Sequence, residues 1–187
     1  TDRPVLFLFP GQPPPLRWIG DRDVLMLLAD HGAITLHRGR VGGRSSKELI
    51  GGDIQIDGFA ARPGRRTVAY TASWTSQPGE LHVSTSGAGR GLQLTHLNDD
   101  FLAEVQLASI DRATVTRPDG TKVEYFTLLP PDRPARQLPL HLEIHGGPHA
   151  AWPSGWWLAF LQAVAAAGYC VLLPNPRGSA GYGQQFT

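Results

Sequence analysis

Short apolar runs, broken by glycine, proline and aspartate, fill the first half of the chain, and their order repeats. Each unit has a turn followed by a strand-like run with β-branched or aromatic residues, and then two further short runs. The offsets between matching runs lie between 43 and 47 residues. The matching pairs are GDRDVLML (20–27) with PGRRTVAY (63–70), GAITLHR (32–38) with GELHVST (79–85), and KELI (47–50) with LQLT (92–95).

This spacing, with about four short strands per unit, predicts blades of a β-propeller. Helical repeats of similar length would need long stretches of 3.6-residue periodicity, which these broken runs lack. An ordinary β-sandwich with coincidental spacing is the alternative. Two blades cannot close a propeller, which typically has about 4–8 of them. The chain also starts without methionine and stops at 184–187 without a helix end, so we expect it to be incomplete at both ends.

The pattern changes from about residue 113 onwards. A hairpin is predicted over 113–130, with Asp119-Gly120 as a two-residue turn. A strand over 138–145, an alanine- and leucine-rich helix over 156–168 and an apolar strand over 169–175 follow. Strand, helix and strand at this spacing predict a βαβ unit and therefore an α/β domain. We expect residues 1–108 to form the last blades of a propeller and residues 109–187 to begin an α/β domain.

Composition excludes several classes of function. The 187 residues have a formal net charge of +1, which does not favour nucleic acid, a membrane surface or an acidic partner. No apolar run approaches the length of about 20 residues that crosses a bilayer. The one cysteine, Cys170, excludes a disulfide framework and is expected in the core. We therefore expect a cytoplasmic protein.

The most informative motif is His145-Gly146-Gly147-Pro148, at the end of a predicted strand. Without a Cβ atom, the glycines can adopt positive φ angles and leave their N–H groups pointing outward, where they bind negative charge. No Gly-Lys-Ser/Thr follows, as a phosphate-binding Walker loop needs, and no G-x-G-x-x-G is present. An HGG loop after an early strand is the oxyanion-hole signal of α/β-hydrolases. A plain tight turn before a helix is the alternative.

Three landmarks in order resemble the prolyl oligopeptidase family of serine peptidases, and its acylaminoacyl-peptidase branch in particular. They are the HGGP motif (145–148), Gly168-Tyr169 before a strand, and NPRGS (175–179) with Gly181-Tyr182-Gly183. The stretch LTHLNDDFLAEVQLA (94–108) also resembles that family's junction between propeller and hydrolase. The resemblance implies a propeller that restricts access, an α/β-hydrolase domain, short peptides as substrates and a Ser-Asp-His triad. It implies no cofactor and no metal.

Transferred by position, the resemblance assigns the backbone N–H of Gly147 to the oxyanion hole. His145, Gly146 and Pro148 would shape that loop. The nucleophile elbow G-x-S-x-G is absent, since RGSAG (177–181) has arginine in place of the first glycine. Ser179 is therefore not expected to be the nucleophile. We expect the triad outside this chain, which would be inactive by itself.

Three other functions stay open at this point. His141, Glu143 and His145 alternate along one predicted strand and share a face, so they could bind Zn²⁺. A non-catalytic propeller binding module or pseudo-enzyme is a second alternative, and a carboxylesterase with an HGG loop is a third. The expected partners are a short peptide substrate and the remainder of the same polypeptide. A homo-oligomer stays open.

Overall fold

The computed structural model describes residues 16–85, 89–147, 149–156 and 159–186. No helix in these ranges is long and apolar enough to span a bilayer. The elements, in chain order, are β1 (Leu16–Trp18), β2 (Asp23–Asp30), β3 (Ala33–Arg40), β4 (Ser46–Ile50), β5 (Gln55–Ala61), β6 (Val68–Trp74), β7 (Gln77–Ser84), β8 (Leu92–Gln93), α1 (Asp99–Glu104), β9 (Ser109–Thr116), β10 (Lys122–Leu129), β11 (Leu140–Leu142), α2 (Ala159–Ala166) and β12 (Cys170–Asn175).

The first eight strands form two antiparallel meanders of four strands each. Strands β1 to β4 pair in chain order, and so do β5 to β8. A single parallel pairing, Ile34 with Gln55, joins the two meanders into one eight-stranded sheet. Strands β2, β3 and β4 match β6, β7 and β8 in order, which confirms the predicted repeat of two four-stranded units.

The central hairpins of the two meanders have the same loop length. His31 and Gly32 connect β2 to β3, with φ angles of 48° and 73°. Two positive φ angles match the type I′ turn, whose twist agrees with that of the flanking strands. In the second meander, Trp74 pairs with Gln77, so that two residues again make the connection. Both meanders therefore have the tight central turn that a blade needs.

The two meanders share one hydrophobic core, because alternate residues of their strands face each other. Tyr70 is the largest of the fully buried side chains in it, and Trp74 packs against its edge. Burial of these side chains against a second meander stabilises sheets that would be marginal alone. The buried members of this core are Leu25, Leu27, Ile34, Leu36, Ile50, Ile54, Ile56, Val68, Tyr70 and Ala72.

The second sheet has the order β11-β12-β10-β9 and contains the predicted βαβ unit. Strands β11 and β12 are parallel and α2 lies between them in the chain. Strand β11 covers only Leu140–Leu142, so the predicted strand over 138–145 is too long. Helix α2 ends before Gly168, whose φ of 102° and N–H bond to Ala165 make it the expected terminating residue. Cys170 is half-buried rather than buried.

The hairpin β9–β10 has a longer turn than predicted. The N–H of Gly120 donates to the Arg117 carbonyl, the N–H of Arg117 donates to the Thr121 carbonyl, and Gly120 has a φ of 82°. This is a three-residue loop, a turn followed by a left-handed glycine, rather than a two-residue turn. Between the sheets, β8 ends at Gln93 and β9 begins at Ser109. The domain boundary at residue 108 stays a prediction.

Glu80, in β7, binds the segment between β8 and β9. Its side chain is 2% exposed and accepts hydrogen bonds from the Thr95 hydroxyl, from the Asn98 backbone N–H at 3.0 Å and from the Asn98 amide at 2.8 Å. Burial acts to raise the pKa of this carboxyl, but these hydrogen bonds outweigh it and lower the pKa below its usual value. The segment leading to the second sheet is therefore held by a buried carboxylate.

We predict that Glu80→Gln lowers the free energy of unfolding by about 2 kcal/mol at pH 7, because the amide cannot accept all of these hydrogen bonds. The folded-state pKa is depressed, so the carboxylate contributes its stability above the unfolded pKa of about 4.3 and loses it as pH falls through the folded value. Denaturant unfolding from pH 7 to pH 3 measures this, with the exposed Glu104→Gln as control. A Glu80→Gln penalty that stays constant with pH would contradict the assignment.

Candidate functional site

The HGG loop leaves the second sheet at the carboxyl end of β11. The N–H of Glu143 donates to the Leu172 carbonyl at 3.0 Å, which extends the parallel pairing by one residue. Gly146 and Gly147, a few residues further on, are exposed. Open α/β sheets place their ligands beyond the carboxyl ends of parallel strands, and the loop lies in that position.

Neither glycine of the loop has a positive φ, so the conformational reason expected for them is wrong. The left-handed residue is His149, with a φ of 60°. A Cβ atom on Gly147 would lie 2.7 Å from the His149 nitrogen, so close backbone approach explains this glycine. A Cβ on Gly146 would meet open space. Among the described residues, neither glycine N–H has a hydrogen-bond partner, and Pro148 lies outside these residues.

His145 lies against the polypeptide that follows β12. Its Nε2 is 2.8 Å from the Ser179 hydroxyl oxygen and its Nδ1 is 2.8 Å from the Gly146 carbonyl oxygen. Ser179 is fully buried, and its hydroxyl donates to the Pro176 carbonyl at 2.7 Å. A buried hydroxyl that is already bound to a carbonyl is badly placed to attack a substrate.

The residues of the alternative zinc site do not come together. His141 and Glu143 contact each other, with Nε2 and Oε2 3.0 Å apart, whereas His145 faces Ser179 instead. Within the described residues, no group of three or more histidine, cysteine, aspartate or glutamate side chains could hold a metal ion. The alternation of the three residues fails because the strand ends at Leu142, before His145.

Behind the loop, Asn175 holds the backbone of Trp152. This asparagine is the last residue of β12 and is fully buried. Its Oδ1 accepts from the Trp152 N–H at 2.7 Å and its Nδ2 donates to the Trp152 carbonyl at 3.2 Å. The Trp152 ring meets the His145 ring edge to face, with centroids 6.2 Å apart. The end of β12 therefore fixes a residue on which the HGG loop rests.

Asn175 is one end of a polar network that reaches the first sheet. Its Nδ2 donates to the Tyr182 hydroxyl at 2.8 Å, and that hydroxyl donates to Glu124 at 2.6 Å. Arg112 Nε donates to Glu124 at 2.8 Å, and a second guanidinium nitrogen donates to the His31 carbonyl in the β2–β3 turn at 2.5 Å. A third donates to Asp53. One guanidinium thus contacts both sheets.

The network shifts the pKa of two of its members. Burial is the main cause that raises the pKa of Tyr182 well above its ordinary value, and the hydrogen bond to ionised Glu124 adds to it. Burial acts to lower the pKa of Arg112, but the hydrogen bond and charge of Glu124 outweigh it and raise that pKa. The tyrosine therefore keeps its proton and the arginine its charge at any physiological pH.

Backbone hydrogen bonds complete the contact between the two sheets, which we call the seam. The His31 N–H donates to Gly181 at 3.1 Å, and the Ser154 N–H donates to Gly32 at 2.7 Å. A Cβ on Gly32 would lie 2.9 Å from the Trp152 carbonyl oxygen. Beside the seam is an open cavity of about 640 Å³, lined by His31, Thr114, Thr121, Lys122, Glu124, Arg177, Tyr182, Gln185 and Phe186.

Sequence reasoning did not assign functional roles to Arg112, Glu124, Asn175 or Tyr182. Asn175 and Tyr182 lie in the stretch that carries the family resemblance, but nothing in it shows that they bind each other. Arg112 and Asp53 are 59 residues apart in the chain, and no local pattern connects them. A buried asparagine at the end of an apolar strand is the one signal that could have suggested such a network.

No known protein-family model matches the chain. It is 33% identical over 132 residues to the uncharacterized peptidase YuxL of Bacillus subtilis, a match that covers 70% of the chain and 20% of that protein. It is also 33% identical over 128 residues to the acylamino-acid-releasing enzyme of Rattus norvegicus, covering 68% of the chain and 15% of the enzyme. A crystal structure of Pyrococcus horikoshii acylaminoacyl peptidase matches with a TM-score of 0.76 at 22% identity, covering 91% of the chain and 26% of the peptidase.

The chain belongs to the prolyl oligopeptidase family. The structural match includes both sheets and confirms the predicted fold class, propeller blades followed by the beginning of an α/β region. The chain spans a fifth or less of the length of these two curated relatives.

We predict that Arg112→Met lowers the free energy of unfolding by about 3 kcal/mol, because Glu124, which is 9% exposed, loses its charged partner. Arg112→Lys should recover only part of this loss, since one ammonium group does not reach all three acceptors that the planar guanidinium binds. Thermal unfolding of the full-length protein measures both, with the exposed Arg136→Met as control. Equal midpoints for Arg112→Met and Arg136→Met would contradict the role of the ion pair.

Proposed function

We propose that this chain is part of a serine-type oligopeptidase that hydrolyses short peptides through an acyl-enzyme, in the manner of an acylaminoacyl or dipeptidyl peptidase. The observation that supports this function best is the exposed HGG loop, with two N–H groups that lack partners among the described residues. The names of the relatives, a peptidase and an acylamino-acid-releasing enzyme, point to the same class of reaction.

In this mechanism the chain supplies one donor of the oxyanion hole, the Gly147 N–H. A serine from the rest of the polypeptide attacks the peptide carbonyl, with a histidine as general base. The carbonyl oxygen becomes negatively charged, and Gly147 together with the N–H after the nucleophile stabilises it. His145 and Gly146 shape the loop through the contact between the His145 ring and the Gly146 carbonyl, and Pro148 follows in the same motif. The chain alone would be inactive, and the reaction needs no cofactor.

The remainder of the polypeptide is also the proposed partner of the β11 edge. Strand β11 lies at the edge of the second sheet. Leu140 and Leu142 in this strand, and Ile144 two residues beyond its end, are each at least half exposed. An unpaired apolar edge is prone to aggregation unless another strand covers it. We place the protein in the cytoplasm, where a free, half-buried Cys170 stays reduced.

The first experiment is covalent labelling of the full-length protein with a fluorophosphonate probe, followed by intact mass measurement and assay on short acylated and free peptides. A stoichiometric adduct together with peptide hydrolysis supports the peptidase. Absence of both would favour a non-catalytic propeller module or pseudo-enzyme. Hydrolysis of simple esters with no cleavage of peptides would favour a carboxylesterase.

We predict that Gly147→Pro lowers kcat/KM by about 10²- to 10³-fold, because it removes one oxyanion donor. Two alanine variants control for the change of shape. Gly146→Ala places its Cβ in open space, so its kcat/KM should stay within about threefold of the unmodified protein. Gly147→Ala keeps the N–H but brings its Cβ against the His149 nitrogen, so it measures the effect of shape alone. A Gly147→Pro variant as active as Gly146→Ala would rule out Gly147 as an oxyanion donor.

Ser179→Ala tests whether Ser179, which contacts His145, is the nucleophile. We predict that this variant retains stoichiometric labelling by the probe, and that kcat/KM falls by about tenfold or less, because the hydrogen bonds of the hydroxyl to His145 and to the Pro176 carbonyl are lost but no reacting group is removed. Labelling sites mapped by peptide mass spectrometry check this outcome. Loss of the adduct in a folded Ser179→Ala protein would make Ser179 the nucleophile.

A further inference from the structure

The Tyr182 hydroxyl completes the hydrogen bonds of the Asn175 side chain. The Trp152 backbone uses Oδ1 and one hydrogen of Nδ2 of the buried asparagine. The second hydrogen of Nδ2 needs another acceptor, and the Tyr182 hydroxyl oxygen, 2.8 Å away, is that acceptor. All polar atoms of the Asn175 side chain are thereby engaged.

The direction of this hydrogen bond follows from the charge on Glu124. An ionised carboxylate can only accept, so the Tyr182 hydroxyl must donate to Glu124 Oε2, 2.6 Å away. Its oxygen is then free to accept from Asn175. Arg112 Nε donates to the other carboxylate oxygen of Glu124, at 2.8 Å. The raised pKa of Tyr182 agrees with a hydroxyl that stays protonated in this position.

We propose that Tyr182 is a positioning residue for the HGG loop, acting through Asn175 on the Trp152 backbone. Without the hydroxyl, one Nδ2 hydrogen of a fully buried amide has no acceptor, and the side chain relieves this by moving away from Trp152. The His145 ring, which packs on the Trp152 ring, then loses its support. The effect on catalysis rests on the function proposed above, whereas the effect on the Trp152 backbone does not.

The test is Tyr182→Phe in the full-length protein, with Tyr125→Phe as the matched control. Tyr125 is the neighbour of Glu124 in β10, and its hydroxyl has no hydrogen-bond partner among the described residues. Three quantities are compared: kcat and KM for a peptide substrate, the inhibition constant of a peptide aldehyde that forms a tetrahedral adduct, and hydrogen exchange resolved to single amides. The aldehyde resembles the transition state, so its affinity depends on the oxyanion donors.

We expect Tyr182→Phe to lower kcat about tenfold with KM within twofold, and to weaken aldehyde binding by the same factor. The Trp152 amide should exchange at least tenfold faster. The Ser154 amide, bound to the Gly32 carbonyl instead, should be unchanged. A merely structural defect would accelerate both amides and would not match the kcat and aldehyde factors.

Each outcome decides the proposal. Unchanged Trp152 exchange overturns it, and so does faster exchange with unchanged kcat in an active enzyme. If the unmodified protein neither binds the fluorophosphonate probe nor cleaves peptides, the proposed function fails. The positioning role is then judged on exchange alone: selective acceleration at Trp152 supports it, and equal rates in both variants overturn it.

Discussion

The guanidinium of Arg112 binds both sheets at once, and the polar seam between them follows from that. Glu124 is 9% exposed, and this charge compensates the burial of its carboxylate. The carboxylate accepts from the Tyr182 hydroxyl, which in turn completes the hydrogen bonds of Asn175. A lysine at residue 112 could not bind Glu124, Asp53 and the β2–β3 turn together. The planar fork of arginine therefore suits this position better than an ammonium group does.

The blades depend on a different and more local kind of interaction. Each meander is made of strands that are neighbours in sequence, and its central hairpin is joined by a two-residue turn. The cost of closing such short loops is small, so the pairing needs little help from distant residues. Packing between the two meanders supplies the apolar burial that a single four-stranded unit lacks. Local pairing and inter-blade burial thus favour the same arrangement.

The same contrast explains what could be predicted from the sequence. The repeat was recognisable because turn residues and strand-like runs recur at one spacing, and helix α2 because Gly168 marks its end. The length of β11 could not be predicted, since apolar alternation continues to Ile144 after the strand has ended. The need for glycine at residue 147 could not be explained from the sequence either, because it comes from the nearby backbone of His149 and not from a positive φ. Side chains such as Arg112 find partners 59 and 81 residues away, which no local pattern specifies.

The two sides of the HGG loop differ in how their polar groups are satisfied. On the inner side, Asn175 uses every polar atom of its side chain, and Ser179 is bound to both a carbonyl oxygen and a histidine. On the outer side, Gly146 and Gly147 expose N–H groups without partners among the described residues. Buried donors without acceptors would destabilise the fold, but exposed donors are solvated and cost little. Satisfied side chains such as Asn175 behind the loop, with open donors in front of it, fit the oxyanion role proposed for Gly147, since donors that are held in place need not reorganise when charge develops.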